Sequence, residues 1–231
     1  MGTIEGFQPS FEKGGAAGSS VAPPVVKLYG TTTSPYTRKI RILARAAGLS
    51  VTLVDTRAAE GAAALATIAP LGKVPVIEMG PSGAAGALDD GAPRVLPDSG
   101  LIAAWLWARH APALRAAGFE LSSDDWTGRA LTVAVEGALD AAINRFYLLR
   151  DKLPDHGYVS RQADRVATTL KWLDAHMPAF ARPLSGAALS LGCALDWIVL
   201  RAMADVPRFG RLVDFRAAWT ASGVGAGTEP G

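Results

Sequence analysis

The sequence predicts two folded halves. The first, residues 25–111, is an α/β unit with the order strand, helix, strand, helix, two strands, helix; the second, 123–222, is all-helical. Three observations carry this prediction. Short β-branched runs alternate with helical periods only in the first half. The opening strand–helix–strand has the length of a βαβ unit, whose strands run parallel. Four long helical patterns then follow without a convincing strand between them.

"VVKLYG", residues 25–30, is apolar and ends at Gly30, as a buried strand does. "SPYTRKIRILARAAG" follows as a helix. Ser34 is a good cap and Pro35 a favoured first helical residue. Ile40, Leu43, Ala44 and Ala47 form its apolar stripe, Arg38, Arg41 and Arg45 lie off it, and Gly48 ends it. "VTLVD", 51–55, is the second strand. "AAEGAAALATIAP" is a weaker helix that stops before Pro70. In "LGKVPVIEMG" the third strand carries Pro75, which suits an edge, a bulge or a strand start and admits a cis bond. "RVLPD" pairs with it antiparallel across a long loop, 80–93. "SGLIAAWLWARH" is a helix capped by Asp98 or Ser99.

Residues 112–122 read as a linker. The second half opens on a long helix from near Ser123, with Asp124 and Asp125 at its positive end. In the next helix Val159, Ala163, Val166, Leu170, Leu173 and Met177 make a bundle-core stripe. "LSLGCALDWIVLRAMAD" is apolar nearly all round, hence central. "RLVDFRAAWTASG" is the last helix, and 223–231 is a tail. Residues 1–24 are rich in Gly, Ser and Pro and lack the basic start and apolar core of a signal peptide, so they read as a flexible arm.

Composition excludes several classes. With 49% hydrophobic and 19% charged residues among 231, the chain has material for real cores. A net charge of +2 selects neither nucleic acid nor a membrane surface. No apolar run approaches the ~18 residues of a spanning helix. The single Cys193 makes no internal disulfide, in keeping with a reducing compartment. His110, His156 and His176 lack metal-ligand spacing, and there is no G-x-S-x-G elbow or complete phosphate loop.

Three features remain: Ser34-Pro35 at a strand-to-helix turn, Lys73-Val74-Pro75, and Asp98-Ser99 at a helix start. A thioredoxin-like arrangement places them together at one end of the sheet. "KLYGTTTSPYTRKIRILARAAGL", "APLGKVPVIE" and "VLPDSGLIAAWL" resemble, in order and spacing, the N-terminal half of cytosolic glutathione transferases, and the helical second half agrees with that family's plan. The Ser-Pro-aromatic turn is similar to the bacterial serine-type members, and to the Cys-Pro motif of omega and glutaredoxin-like groups with serine in place of cysteine.

The resemblance implies roles. Ser99, at a helix N-terminus, binds the γ-glutamyl carboxylate of glutathione, and Asp98 takes its ammonium. Val74, before Pro75, pairs its backbone with the cysteinyl part like an added strand. Ser34 donates a hydrogen bond to the glutathione sulfur and favours its thiolate, with Thr33 and Tyr29 as alternative donors. Lys73 or Arg38 meets the glycine carboxylate. An electrophile site lined by Tyr36, Trp126, Arg145, Tyr147 and Arg150 is expected between the halves.

The family also implies a cytoplasmic homodimer with glutathione as cosubstrate, no other cofactor, and small hydrophobic electrophiles as second substrates. Alternatives are a glutathione-binding protein without turnover and, less favoured, a thiol oxidoreductase, which needs a cysteine at position 34. One departure is the buried helix of the second half. The family's Ser/Thr-x-x-Asp cap is here Ser190 followed by Cys193, with Asp196 displaced by about a turn.

Overall fold

The computed structural model describes residues 26–80, 94–121, 125–154, 157–180 and 184–231. The expected arm 1–24, most of the 80–93 loop, Ser123, Asp124 and His156 lie outside the described residues. The first half has the predicted thioredoxin-like order. Strand β1 (Val26–Gly30), helix α1 (Pro35–Ala46), β2 (Val51–Asp55), α2 (Ala59–Ile68), β3 (Val76–Met79), β4 (Val95–Pro97) and α3 (Ser99–Ala116) follow one another. The sheet order is β2-β1-β3-β4, with β1 and β2 parallel and the other two pairings antiparallel. Helices α4 (Trp126–Arg150), α5 (Gly157–Ala175), α6 (Gly186–Leu200) and α7 (Gly210–Ala221) make the second half.

Gly30 allows α1 to sit close to β1. A Cβ there would lie 2.3 Å from Thr37 Oγ1, so any side chain would push the helix away. Helix α1 packs on both α3 and α6. One core is purely helical and centres on Val135, Leu139, Val166, Leu170 and Leu195. A second joins the halves: Leu28, Ile40, Leu43 and Ile77 pack in one cluster with Leu189, Cys193 and Trp219.

Three expectations are corrected. The linker does not begin at residue 112, because α3 continues to Ala116. Pro112 has no N–H to give the helix and crowds the preceding turn, so the chain bends at His110 (φ −125°, ψ 21°) and then resumes as helix. Helix α4 starts at Trp126, with the Asp125 carboxylate accepting from Gly128 N. Helix α6 is capped by Ser185, whose Oγ accepts from Ala188 N at 3.1 Å. Ser190 therefore lies inside the helix and points to Glu136.

The tail is a built strap. After α7, residues 223–231 turn back along α1. Gly223 and Gly227 have φ of 66° and 71°, conformations that cost glycine little. Thr228 is buried and donates to Gly225 O at 2.6 Å.

Candidate functional site

Strand register brings the three sequence features to one sheet end. Tyr29 of β1 stands opposite Val76 of β3, which stands opposite Pro97 of β4. Stepping off those positions gives the turn at 31–34, then Pro75, then Asp98. With neighbouring strands about 4.8 Å apart, the features span roughly 10 Å.

The turn is held by its own hydroxyls. Ser34 N donates to both Oγ1 and the carbonyl O of Thr31, at 3.1 and 3.2 Å, and the Oγ1 atoms of Thr31 and Thr33 share a hydrogen bond at 3.1 Å. Ser34 caps α1, its Oγ accepting from Thr37 N at 3.2 Å. That cap occupies an oxygen lone pair and leaves the hydroxyl proton unused. Capping and donation to an incoming anion are therefore compatible, and the N–H drawn onto the oxygen strengthens the outgoing O–H.

The Val74–Pro75 peptide is cis. Neither the N–H nor the C=O of Val74 bonds another group among the described residues. Asp98 caps α3 with one oxygen, Oδ1 accepting from Gly100 N and Leu101 N at 2.8 and 2.9 Å. Among the described residues its Oδ2 has no hydrogen-bond partner. Asp98 sits at φ 73°, a strained conformation for a residue with a Cβ, and this bends the chain sharply from β4 into the helix. Ser99 is buried, and its hydroxyl has no partner among the described residues. An anion placed there would meet the positive end of the Ser99–Arg109 segment of α3, before the bend at His110. Lys73 is exposed and unbonded at the same end.

Other predicted site residues are engaged elsewhere. Tyr29 is buried and its hydroxyl donates to Glu78 Oε2 at 2.7 Å; burial and that carboxylate push its pKa up to about 12. Arg38 is not a glycine-carboxylate ligand. Its side chain is 3% exposed and donates from Nη1 to Asp196 Oδ2 at 2.6 Å. Asp196 also accepts from Arg216 Nε at 2.8 Å and Trp219 Nε1 at 3.3 Å. Lys39 beside it reaches Glu136 of α4 at 2.5 Å.

The electrophile residues do not form one wall. Trp126 and Tyr147 are twenty-one residues apart on α4, which spans them by about 32 Å. Trp126 is exposed beneath Arg129, and Arg150 lies over Tyr147, 4.7 Å from its ring centre. Arg145 turns to the end of α6 and donates to Met203 O at 3.2 Å. Tyr36 bridges the halves, donating to Asp140 Oδ1 at 2.6 Å. Burial, then the Asp140 hydrogen bond and charge, raise its pKa above the tyrosine range. Tyr36, Asp140 and the exposed Tyr147 share the side of α4 nearest the hydroxyl turn. A recess of about 490 Å³ lies between α3 and α4, lined by Gly100, Trp107, Val133 and Glu136; Trp126, Ser34, Val74 and Ser99 do not line it.

Sequence reasoning missed the ionic contacts of α1 with the helical half. One signal was present: Asp196 is a lone acid in a helix apolar all round, and a buried acid requires a buried donor. Arg57 was also missed; it pairs with Asp55 and donates to Thr32 Oγ1 at 3.2 Å, alongside the turn. Among the described residues, no group of three or more His, Cys, Asp or Glu is placed to hold a metal, and no helix is long and apolar enough to cross a membrane.

The fold has counterparts among known proteins. Residues 28–114 match the model of the glutathione S-transferase N-terminal domain. The fold is similar to a glutathione S-transferase from Methylobacillus flagellatus KT with glutathione bound, at 26% identity and TM-score 0.73, covering 89% of this chain and 100% of that one. A glutathione transferase family member from Pseudomonas fluorescens Pf-5 with bound glutathione has 24% identity and TM-score 0.70, covering 89% and 99%. A glutathione S-transferase from Methylobacterium radiotolerans in complex with glutathione sulfonate has 20% identity and TM-score 0.70, covering 89% and 95%. No curated protein matches the sequence.

Proposed function

We propose that this chain is a glutathione transferase that lowers the pKa of the glutathione thiol and conjugates it to small hydrophobic electrophiles. The observation that carries the proposal is the meeting of three unfilled valences at one sheet end. These are the free proton of Ser34, the unpaired backbone of Val74, and the unbonded hydroxyl of the buried residue Ser99 beside the spare oxygen of Asp98. They match in order an extended peptide with a thiol at its centre and a carboxylate and ammonium at one end. Similar structures hold glutathione or its sulfonate.

Ser99 takes the γ-glutamyl carboxylate and Asp98 Oδ2 the ammonium. Val74 pairs with the cysteinyl amide and carbonyl. Ser34 donates to the sulfur, where its proton and the start of α1 stabilise the thiolate against its usual pKa of about 8.5. Lys73 serves the glycine end. The sulfur attacks the electrophile; the serine stays a proton donor and forms no covalent bond. Among the alternative donors, Thr33 shares its hydroxyl with Thr31, and Tyr29 is committed to Glu78. The electrophile rests near Tyr36 and Tyr147, where α4 passes the turn.

The chain works in the cytoplasm as a homodimer. Val133 is exposed in the recess between α3 and α4, and Leu101 and Trp126 are exposed elsewhere on the same two helices, apolar surface suited to a second copy. Thiol–disulfide chemistry is disfavoured: Cys193 is buried in α6, and burial pushes its thiol up to about 12.

The test is capture on immobilised glutathione followed by conjugation to an aryl halide. Ser34→Ala is expected to cut kcat/KM about 10–1,000-fold, with glutathione affinity changed only a few-fold. Capture without turnover would identify a binding protein. Full activity of Ser34→Ala would move the donor to Thr33.

A further inference from the structure

The strap after α7 grips the candidate site on both sides of its serine. Gly231 O accepts from Thr32 Oγ1 at 2.9 Å, two residues before Ser34. Thr228 Oγ1 accepts from Arg38 Nε at 3.3 Å, four residues after it. Between these ends, Arg41 donates to Gly227 O at 3.2 Å, and Arg45 donates to Ala226 O and Val224 O. Thr32, Arg38, Arg41 and Arg45, spread along α1 and its turn, thus serve one peptide segment. The fit is close: a Cβ at Gly225 would lie 2.5 Å from Arg38 Nη2 and 3.4 Å from Trp219. Without the strap, Arg41 and Arg45 would lose these carbonyl partners, and Arg38 would keep only its pair with Asp196.

We propose that Val224–Gly231 is a positioning element of the site. By holding Thr32 and Arg38 together, the strap fixes the turn of Thr31–Ser34 against the first turn of α1, so that the Ser34 hydroxyl keeps its hydrogen bond directed at the thiolate sulfur. The inference rests on the glutathione reading above. Ser34 is tied to both grips through the backbone, its N–H donating to Thr31 and its carbonyl accepting from Arg38 N at 2.9 Å. A hydroxyl that wanders by a fraction of an ångström gives a weaker bond to the thiolate and a higher thiol pKa.

The charged groups near the turn are held in pairs or face the strap. Arg57 pairs with Asp55, and Arg38 with Asp196. Glu229 of the strap faces Arg41. Lys73 and Asp98 stand at the same sheet end, from the loop before β3 and the start of α3. Thr228→Val and Thr228→Ser leave every one of these charges in place, so a shift in thiol ionisation on those two substitutions reports position, whereas Arg41→Ala/Arg45→Ala and the shortened chain also change the local charge.

The experiment titrates the thiolate absorbance of glutathione bound to the full chain, which needs no turnover. The proteins are wild type, Arg41→Ala/Arg45→Ala, Thr228→Val, Thr228→Ser and a chain ending at Gly223. Amide exchange across 224–231 reports release of the strap, and circular dichroism reports folding. The double variant and the shortened chain are expected to raise the ionisation midpoint of bound glutathione by about one pH unit, a tenfold change. Glutathione Kd changes by less than about threefold, since Ser99 and Val74 are untouched. Thr228→Val moves the midpoint in the same direction, and Thr228→Ser restores it. Strap release with an unchanged midpoint overturns the positioning role and leaves the glutathione reading intact. A wild-type chain that binds no glutathione overturns both.

Discussion

Asp196→Ala is the most decisive single perturbation of the fold. The carboxylate is 12% exposed and accepts from three donors on two other helices: Arg38 of α1, and Arg216 and Trp219 of α7. Removing it leaves the Arg38 guanidinium, itself 3% exposed, with only Thr228 Oγ1. Stripping the partner from a buried ion costs about 3–5 kcal/mol. Arg216 is 38% exposed, so its share is screened to about 1 kcal/mol or less. The expected loss is therefore about 4 kcal/mol. At roughly 2–4 °C per kcal/mol for a chain of this size, Tm falls by about 8–16 °C.

Urea unfolding measures the loss directly, with the slope m checking that the unfolded state has not changed. Asp196→Asn keeps the shape but turns an N–H toward donors, and should lose about 2–3 kcal/mol. Arg38→Met added to Asp196→Leu should recover most of the stability, because an apolar pair of similar volume has no desolvation cost to offset. A loss under about 1 kcal/mol for Asp196→Ala, with m unchanged, would refute the claim that this cluster ties the halves together.

Two further outcomes follow from burial and charge. Tyr29 and Tyr36 stay protonated well above the ordinary tyrosine value of 10.0. Because the folded state holds their protons more tightly, the stability they give is intact below pH about 10 and is lost as pH rises, for Tyr29 through about 12. Spectrophotometric titration of native protein should show two late tyrosines, and Tyr29→Phe should remove one of them. Cys193 should resist alkylation in the native state at pH 8 and label fully in denaturant, since its thiol is buried and pushed up to about 12; rapid native labelling would place it at the surface.

What was legible in the sequence was local. Ser34-Pro35 marked a helix start because cap and first-turn chemistry lie within two residues. Parallel pairing of β1 with β2 followed from the βαβ spacing, and the sheet end from the order of Ser34, Pro75 and Asp98. What was illegible depended on partners far along the chain. Periodicity marks the apolar stripe of α1 but is silent on whether its polar face meets water, so nothing in it showed that Arg38 and its neighbour Lys39 are both buried. Ser190 and Ser185 are equally good caps by type; which one caps depends on where the chain enters the bundle. Aromatic residues along α4 looked alike as ligand walls, yet a 25-residue helix carries Trp126 and Tyr147 to opposite ends.

The two buried cations of α1 have a further bearing on recombination. Arg38 is neutralised by α6 and Lys39 by α4, so the first half carries charges whose counter-charges are encoded a hundred or more residues later or nearly so, at Glu136 and Asp196. A chimera that joins this first half to a related second half inherits two unshielded cations unless the donor supplies carboxylates at those two places. Half-swaps should therefore succeed or fail on two codons, whatever the overall identity of the parents, and libraries of such swaps would show Arg38 travelling with Asp196 and Lys39 with Glu136 among the survivors.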